Sequence, residues 1–196
     1  MNDKFDDTNI FVRAQFPGEI IMINSDAEIG PALAHLRSDP LIGFDTETKP
    51  SFRKGEVYQV SLLQLATPDH ALLFRLHSLR DFSLLKAFFE DENYKKIGVA
   101  IRDDIKALQK TFLFEPKGFV ELSEMAKSYN LKNFGLKGMT EEVLNLTLSK
   151  RAKLSNWESS VLKNDQKLYA ATDAWIGREI YIALNEDRIH SKNKNT

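Results

Sequence analysis

The chain has 196 residues, 42% of them hydrophobic, which suits one domain with a substantial core. Its 27 Lys and Arg residues almost balance its 28 Asp and Glu residues, so the total charge indicates neither a nucleic-acid nor a membrane partner. The absence of cysteine excludes disulfides, zinc–thiolate sites and cysteine nucleophiles.

The two ends of the chain differ from its middle in composition. Residues 1–18 are polar, end in a Pro17–Gly18 turn and predict a flexible N-terminal arm, and the polar residues 188–196 predict a flexible tail. Residues 19–187 predict one domain between them. The N-terminus lacks a signal-peptide pattern, and no apolar run approaches the ~20 residues of a membrane span, so we expect a cytoplasmic protein.

Apolar runs and helical spacing alternate along the predicted domain. Strands are predicted at 19–24, 41–48, 60–67, 70–76 and 95–101. Helices are predicted at 25–39, 79–92, 102–112, 119–130, 140–150 and 164–185. The order β-α-β-β-β-α-β-α, followed mainly by helix, indicates an α/β fold with a mixed sheet.

Two acids end an apolar strand in the stretch LIGFDTETKP. Side chains two residues apart on a strand point the same way, so Asp45 and Glu47 are expected to lie side by side. Like charges at this spacing raise the energy of the fold unless a positive charge lies between them. The strand end therefore predicts a bound cation.

Two later segments also place an acid beside an apolar run. In GVAIRDDIKAL, Asp104 opens a predicted helix, although Asp103 beside it is a good helix cap. In LYAATDAWIG, Tyr169 and Asp173 are four residues apart and share a helix face. Each feature taken alone has a structural explanation, as a cap, a turn residue or a surface contact.

Four acids from three distant segments together favour a metal site. Carboxylates that cluster in a fold are normally held by cations. A set of oxygen ligands without cysteine, and without histidine at ligand spacing, favours the hard cations Mg²⁺ and Mn²⁺. Two such ions ~3.5–4 Å apart are the arrangement used for in-line attack on phosphodiesters, so we predict two divalent cations as cofactors.

Three motifs, in this order, resemble those of the DEDD 3′–5′ exonucleases: FDTET, GVAIRDDIKAL and YAATDAWIG. The third has the Tyr form (DEDDy), with Tyr169 four residues before Asp173; the His form would place histidine at Leu168. Within that superfamily the chain most resembles the exonuclease domain of the Werner syndrome helicase, which also shares GEVYQVSLLQLAT, FVELSEMAK and LSNW. The resemblance covers about residues 19–187 and indicates a stand-alone exonuclease domain.

The resemblance implies a ribonuclease H-like (DnaQ-like) fold, a five-stranded mixed sheet flanked by helices. It implies that Asp45 binds both metal ions, that Glu47 and Asp173 bind the first, and that Asp104 acts on the second through water. Tyr169 would orient the attacking water. The spacing from Gly98-Val99 matches the family when Asp104, rather than Asp103, is taken as the acid.

The resemblance also implies a substrate and a product. The enzyme would be a phosphodiester hydrolase that releases nucleoside 5′-monophosphates from 3′ ends. The backbone at Thr46 and the side chain of Glu47 would meet the terminal 3′-OH, and Lys153 would contact the phosphate backbone. The Werner-like features favour DNA, with RNA as the alternative, and a role in DNA repair extends the same resemblance. Basic residues around the second motif are further candidates for phosphate contacts: Lys95, Lys96, Arg102, Lys106 and Lys110.

Two other functions remain open at this point. One is a nucleic-acid-binding module of the same fold that has lost catalysis, although the presence of all four acids and the tyrosine argues against it. The other is a metal-stabilised scaffold for a partner protein. The sequence separates neither Mg²⁺ from Mn²⁺ nor single from double strands.

Overall fold

A computed structural model describes residues 11–193 except 54, 150, 151 and 153, and the side chains as far as residue 186. The strands are β1 (Val12–Arg13), β2 (Glu19–Ile23), β3 (Leu41–Thr48), β4 (Val60–Ala66), β5 (His70–Arg75), β6 (Lys95–Gly98), β7 (Phe119–Glu121) and β8 (Leu146–Thr147). The helices are α1 (Asp26–Ala34), α2 (Ser83–Phe89), α3 (Ile101–Gln109), α4 (Leu122–Ser128), α5 (Leu136–Leu144) and α6 (Asn164–Asn193). None of the described helices is both long and apolar enough to span a membrane.

The main sheet of the described chain has six strands in the order β2-β5-β4-β3-β6-β7. Strands β3, β4 and β5 are antiparallel neighbours, whereas β2, β6 and β7 join in parallel, which confirms the predicted mixed sheet. The sheet has one strand more than the expected five. Residues 119–121, predicted as the start of a helix, instead extend along β6, with Phe119 packed edge-on against Phe44 and Phe89.

The segment from 140 to 150 also differs from its predicted helix. Helix α5 ends at Leu144, because Asn145 adopts a left-handed conformation with φ of 54°, which asparagine tolerates better than most residues. The next two residues form β8, which pairs in parallel with β1. The last helix, α6, is longer than predicted and continues to Asn193.

The described part of the predicted arm, residues 11–18, packs against the domain rather than extending from it. Val12–Arg13 pairs with β8, and Ala14 and Phe16 are buried. The backbone N–H of Phe16 donates to Thr172 Oγ1 of α6 at 3.0 Å. The expectation of a flexible arm is therefore wrong for residues 11–18, because the two buried apolar side chains hold this stretch against the domain. Residues 1–10 lie outside the described part of the chain.

The two faces of the sheet carry different cores. Aromatic side chains fill the space between one face and helices α1 to α3, where Ile42 and Phe44 of β3 point. The opposite face packs against α6 through small residues that include Ala171 and Ala174. A Cβ atom on Gly43 would collide with the carbonyl oxygen of Ala174, so β3 and α6 touch at their backbones.

One lysine lies inside the aromatic core. The side chain of Lys96 is 0% exposed, and its Nζ donates to the carbonyl oxygens of Asp91 at 2.7 Å and Phe88 at 3.4 Å. Burial lowers the pKa of Lys96 to about 8. The expectation that Lys96 faces nucleic acid is wrong, because side chains alternate along β6 and only its neighbour Lys95 points outward.

The buried lysine predicts a pH dependence of stability. An unfolded lysine titrates near pH ~10.4, whereas the folded Lys96 titrates near 8. Between these values the unfolded chain holds a proton that the folded chain has released, so the folded state gains stability as the pH rises. Relative to a Lys96→Met variant, the free energy of unfolding of the wild type should rise by about 2 kcal/mol from pH 7.5 to 10. Urea unfolding of both proteins across this pH range measures their free energies of unfolding. A difference between the two that does not change with pH would show that the pKa of Lys96 is not lowered in the folded state.

Candidate active site

Strand β3 carries two of the predicted acids at its carboxyl end. Because side chains alternate along the strand, Asp45 and Glu47 share the face that packs against α6. Asp173 of α6 meets them there, and one carboxylate oxygen from each of the three residues lies within 4.8 Å of the others. All three acids are half-buried. The structure thus brings together three of the four acids that the sequence predicted.

The tyrosine of the third motif lies beside this group. Tyr169 and Asp173 are one turn apart on α6, and the phenol is hydrogen-bonded to the Asp173 carboxylate. Burial raises the pKa of Tyr169, and the negative charges of Asp173 and Glu47 raise that pKa further. The phenol is therefore a hydrogen-bond donor at neutral pH, not a base. Its ring packs against the buried indole of Trp157, with 6.1 Å between centroids.

Burial and repulsion among the carboxylates together raise the pKa values of the acids in this site. Burial raises the pKa of Asp45 well above its usual range, and the charges of Asp173 and Asp104 raise it further. The backbone N–H of Thr46, which donates to Asp45 Oδ1 at 2.9 Å, partly opposes this rise in pKa. A cation among the carboxylates would remove the repulsion. The oxygen donor set fits a hard divalent ion such as Mg²⁺ or Mn²⁺.

The fourth acid, Asp104, lies to one side of the group of three. Its Oδ1 accepts a hydrogen bond from Thr46 Oγ1 at 2.6 Å. Thr46 points to the opposite face of β3 from Asp45, so α3 brings Asp104 to the strand from the other side. The pKa of Asp104 is raised by burial, and its charge contributes to the raised pKa of Asp45. The predicted cluster is therefore three acids with a fourth held next to them by Thr46.

The neighbouring acid, Asp103, faces solvent. Its side chain is 95% exposed and forms an ion pair with Lys106 at 3.7 Å, one turn further along α3. A solvated helix-surface pair of this kind contributes little to stability or chemistry. Of the two alternatives left open by the sequence, the geometry favours Asp104.

A residue that sequence reasoning missed fixes the start of α3. The carboxylate of Glu121 accepts hydrogen bonds from the backbone N–H groups of Ala100 at 2.9 Å and Ile101 at 2.8 Å. Ala100 has a φ of 59°, a left-handed conformation that a residue with a Cβ adopts at a cost. Glu121 thus stabilises the turn that aims Asp104 at β3. Its only signal in the sequence was its place in the shared stretch FVELSEMAK.

The structure describes only some of the predicted substrate contacts. Lys153 lies outside the described residues. The N–H of Thr46 is engaged by Asp45, while Glu47 stands among the three acids. A cavity of about 240 Å³ opens beside these side chains. Its walls are formed by Phe44, Asp45, Thr46, Glu47, Gly98, Val99, Leu136, Tyr169, Asp173 and Gly177.

Comparison with known proteins agrees with these motifs. A family model described as 3′-5′ exonuclease matches residues 20–188. The mouse bifunctional 3′-5′ exonuclease/ATP-dependent helicase WRN is 33% identical over 180 residues, which cover 87% of this chain and 13% of the mouse protein. A 3′-5′ exonuclease of Arabidopsis thaliana is 32% identical over 152 residues, which cover 74% of this chain and 52% of the plant protein.

A solved structure shows the same fold. The crystal structure of the Aedes aegypti Nibbler EXO domain aligns with a TM-score of 0.81 and 23% identity, covering 90% of this chain and 93% of that one. The ribonuclease H-like architecture expected from the sequence is thereby confirmed. Because the family model matches most of its length, the chain belongs to the 3′–5′ exonuclease family of the DEDD superfamily.

Proposed function

We propose that this chain is a metal-dependent 3′–5′ exonuclease that releases nucleoside 5′-monophosphates from the 3′ ends of DNA, with RNA as the alternative polymer. One observation carries the proposal: Asp45, Glu47 and Asp173 place carboxylate oxygens within 4.8 Å of one another, beside the hydroxyl of Tyr169. Family membership supports the reaction class. The chain spans only 13% and 52% of the two relatives described, so its polymer and biological role, including DNA repair, are part of the proposal.

The four acids would hold the metal ions. Asp45, Glu47 and Asp173 would bind one divalent cation, Mg²⁺ or Mn²⁺, and Asp104 with Asp45 a second. Such ions, when bound, lower the pKa of water and neutralise the charge of a phosphodiester. The cluster supports this assignment because its own repulsion, expressed in the raised pKa of Asp45, is what a cation would relieve.

The remaining side chains orient the reactants. The Tyr169 phenol, kept protonated by burial and by Asp173, donates its single proton to the Asp173 carboxylate, so its oxygen can accept a hydrogen bond from a water beside it. Thr46 keeps Asp104 turned toward β3. The backbone at Thr46, the carboxylate of Glu47 and Lys153 are proposed to contact the substrate. The fixed positions on β3 and α6 supply the orientation on which such catalysis depends.

Replacing Tyr169 with Phe tests the role of its hydroxyl in orienting the water. The variant keeps the ring against Trp157 and loses only the hydroxyl, so we expect an unchanged fold and a kcat about 10²-fold lower. Steady-state cleavage of a labelled oligonucleotide measures it. Tyr181→Phe is the matched control, because that phenol lies about 18 Å further along α6, where it accepts a hydrogen bond from Lys95 at 2.9 Å. Equal losses in the two variants would remove Tyr169 from the mechanism.

The polymer is tested with 5′-labelled DNA and RNA oligonucleotides of one sequence, each incubated with Mg²⁺, Mn²⁺ or EDTA. We expect a ladder that shortens from the 3′ end, requires metal and forms faster on DNA. Faster shortening of RNA would reverse the polymer assignment. Binding without shortening of either polymer would instead indicate a module of the same fold that has lost catalysis.

A further inference from the structure

One arginine of α6 joins this helix to the start of β3. Arg178 is buried, and its Nε donates to the carbonyl oxygen of Leu41 at 2.9 Å while its Nη2 donates to Oδ2 of Asp39. The other carboxylate oxygen of Asp39, Oδ1, accepts from the backbone N–H of Leu41 at 2.8 Å. Three hydrogen bonds thus close a ring that holds the first residue of β3 to α6, which we call the Asp39–Arg178 clamp.

The part of α6 that crosses the sheet beside the clamp has small side chains. Ala170, Ala171 and Ala174 are buried there, and a carbonyl oxygen of this stretch leaves no space for a Cβ on Gly43 of β3. Packed elements resist sliding when the side chains of one lie in the grooves of the other, and methyl groups provide little of this interlocking. The contact at Gly43 limits how closely α6 approaches β3, whereas the directional hydrogen bonds of the clamp can fix its position along the strand.

The clamp and the contact at Gly43 fit a single position of the helix along the strand. From Ala174 to Arg178 the helix advances by four residues, which is about 6 Å. From Gly43 back to Leu41 the strand covers two residues, which is about 7 Å. The two elements therefore run in opposite directions with nearly equal steps, so both contacts form without distortion of either element.

The acids lie further along the same two elements. Asp173 precedes Arg178 by five residues, which is about 7.5 Å along α6, and Asp45 follows Leu41 within β3. Because α6 is a continuous helix over this stretch, a slide of α6 by ~1 Å along β3 would move Asp173 by the same distance relative to Asp45. A displacement of this size is enough to disturb the geometry of a catalytic site.

We propose that Arg178 is a positioning residue: through the Asp39–Arg178 clamp it sets where α6 lies along β3, and thereby how Asp173 and Asp45 converge on a metal ion. The inference rests on the proposed function, which assigns a metal ion to these acids. Arg178 acts through the position of the helix and touches neither the metal nor the substrate.

The charge of Arg178 taken alone would have the opposite effect on metal binding. Its guanidinium is a positive charge on the helix that carries Asp173, so its removal would lower the repulsion that an arriving cation meets. Loss of the charge therefore predicts tighter binding of Mn²⁺, whereas loss of the clamp predicts weaker binding. The sign of the change in affinity separates these two effects.

Calorimetric titration of the metal-free protein with Mn²⁺, in the absence of nucleic acid, tests the inference. We expect Arg178→Met to bind Mn²⁺ about tenfold more weakly than the wild type. Arg178→Lys keeps the charge, but an ammonium group cannot reproduce the planar fork that reaches both a carbonyl and a carboxylate, so we expect a loss of about threefold. The kcat for cleavage of an oligonucleotide should fall in the same order.

Leu85→Ala is the control for a general loss of stability. Leu85 is fully buried in the core between the sheet and helices α1 to α3, so its truncation destabilises the fold on the face opposite α6. We expect its affinity for Mn²⁺ to stay within twofold of wild type. Urea unfolding ranks the three variants by stability and verifies that each is folded, and Arg178→Lys decides the result if Arg178→Met does not fold.

The outcomes separate the positioning role from the catalytic proposal. Binding of Mn²⁺ by Arg178→Met within twofold of wild type or tighter, or an equal loss in Leu85→Ala, would overturn the positioning role even if the wild type cleaves 3′ ends. The expected order of affinities without any cleavage would preserve the positioning role and overturn the proposed enzyme. Absence of Mn²⁺ binding by the wild type would overturn the metal assignment and the positioning role with it.

Discussion

The Asp45→Asn variant is expected to lose metal-dependent cleavage of 3′ ends, with kcat lowered by about 10³-fold or more. The charges of Asp173 on α6 and Asp104 on α3 both raise the pKa of Asp45, and Asp45 is the acid assigned to both proposed metal ions. Loss of several kcal/mol of metal-ion stabilisation corresponds to a rate loss of this size. Cleavage of a labelled oligonucleotide with Mg²⁺ and with Mn²⁺ measures it.

The thermal stability of the same variant should not fall when no metal is present. Removing one of three crowded carboxylates lowers their repulsion, so metal-free Asp45→Asn should melt at the same temperature as the wild type or higher. Added Mn²⁺ should raise the melting temperature of the wild type and leave that of the variant nearly unchanged.

Asp103→Asn supplies the matched control for this prediction. It makes the same chemical change at a side chain that is 95% exposed, one residue before Asp104. We expect its cleavage rate and its response to Mn²⁺ to equal those of the wild type. Full activity in Asp45→Asn, or equal losses in both variants, would contradict the assignment of the metal site.

Replacing Gly43 with Ala is expected to destabilise the protein by about 3 kcal/mol and to reduce cleavage by about 10²-fold. A Cβ at Gly43 would collide with the carbonyl oxygen of Ala174, a backbone atom that cannot rotate away. Helix α6 would have to move off β3, and overpacking of this kind costs about 1–3 kcal/mol, sometimes more. Since α6 carries Tyr169 and Asp173 while β3 carries Asp45, a shift near 1 Å would also disturb catalysis.

Gly135→Ala separates this collision from the general effect of losing a glycine. Gly135 has a φ of −95°, and no atom beyond its two chain neighbours lies within 4 Å of the Cβ that alanine would add. Because Gly135 is the N-cap of α5, where alanine is less favourable than glycine, the free energy of unfolding in urea should fall by no more than about 1 kcal/mol. If Gly43→Ala were equally harmless, the backbone contact between β3 and α6 would not be what positions the site.

Local patterns were enough to predict the acids of β3 and α6. The two-residue repeat of a strand puts Asp45 and Glu47 on one face, and the four-residue spacing of a helix joins Tyr169 to Asp173. These geometries depend on the backbone alone. That the acids meet was inferred from their shared placement beside apolar runs and from the resemblance, because no local rule brings β3 and α6 into contact.

The features that the sequence did not reveal depend on tertiary contacts. Phe119 lies in a strand because pairing with β6 and packing in the aromatic core stabilise the extended backbone there. The helical spacing of the residues that follow led to the prediction of a helix from residue 119. Lys96 is buried although lysine is usually exposed, since two carbonyl oxygens receive its ammonium group. The attachment of Asp104 to Thr46 joins side chains 58 positions apart, which no periodicity indicates.

The released product tests the central claim most directly. A DNA oligonucleotide is incubated with the protein and Mn²⁺ in water enriched in ¹⁸O, and the mononucleotides are examined by mass spectrometry. We predict nucleoside 5′-monophosphates with one ¹⁸O atom on the phosphate, formed from the 3′ end inward and absent with EDTA or with Asp45→Asn. Internal fragments, nucleoside 3′-monophosphates, or release that persists in Asp45→Asn would contradict hydrolysis at this site.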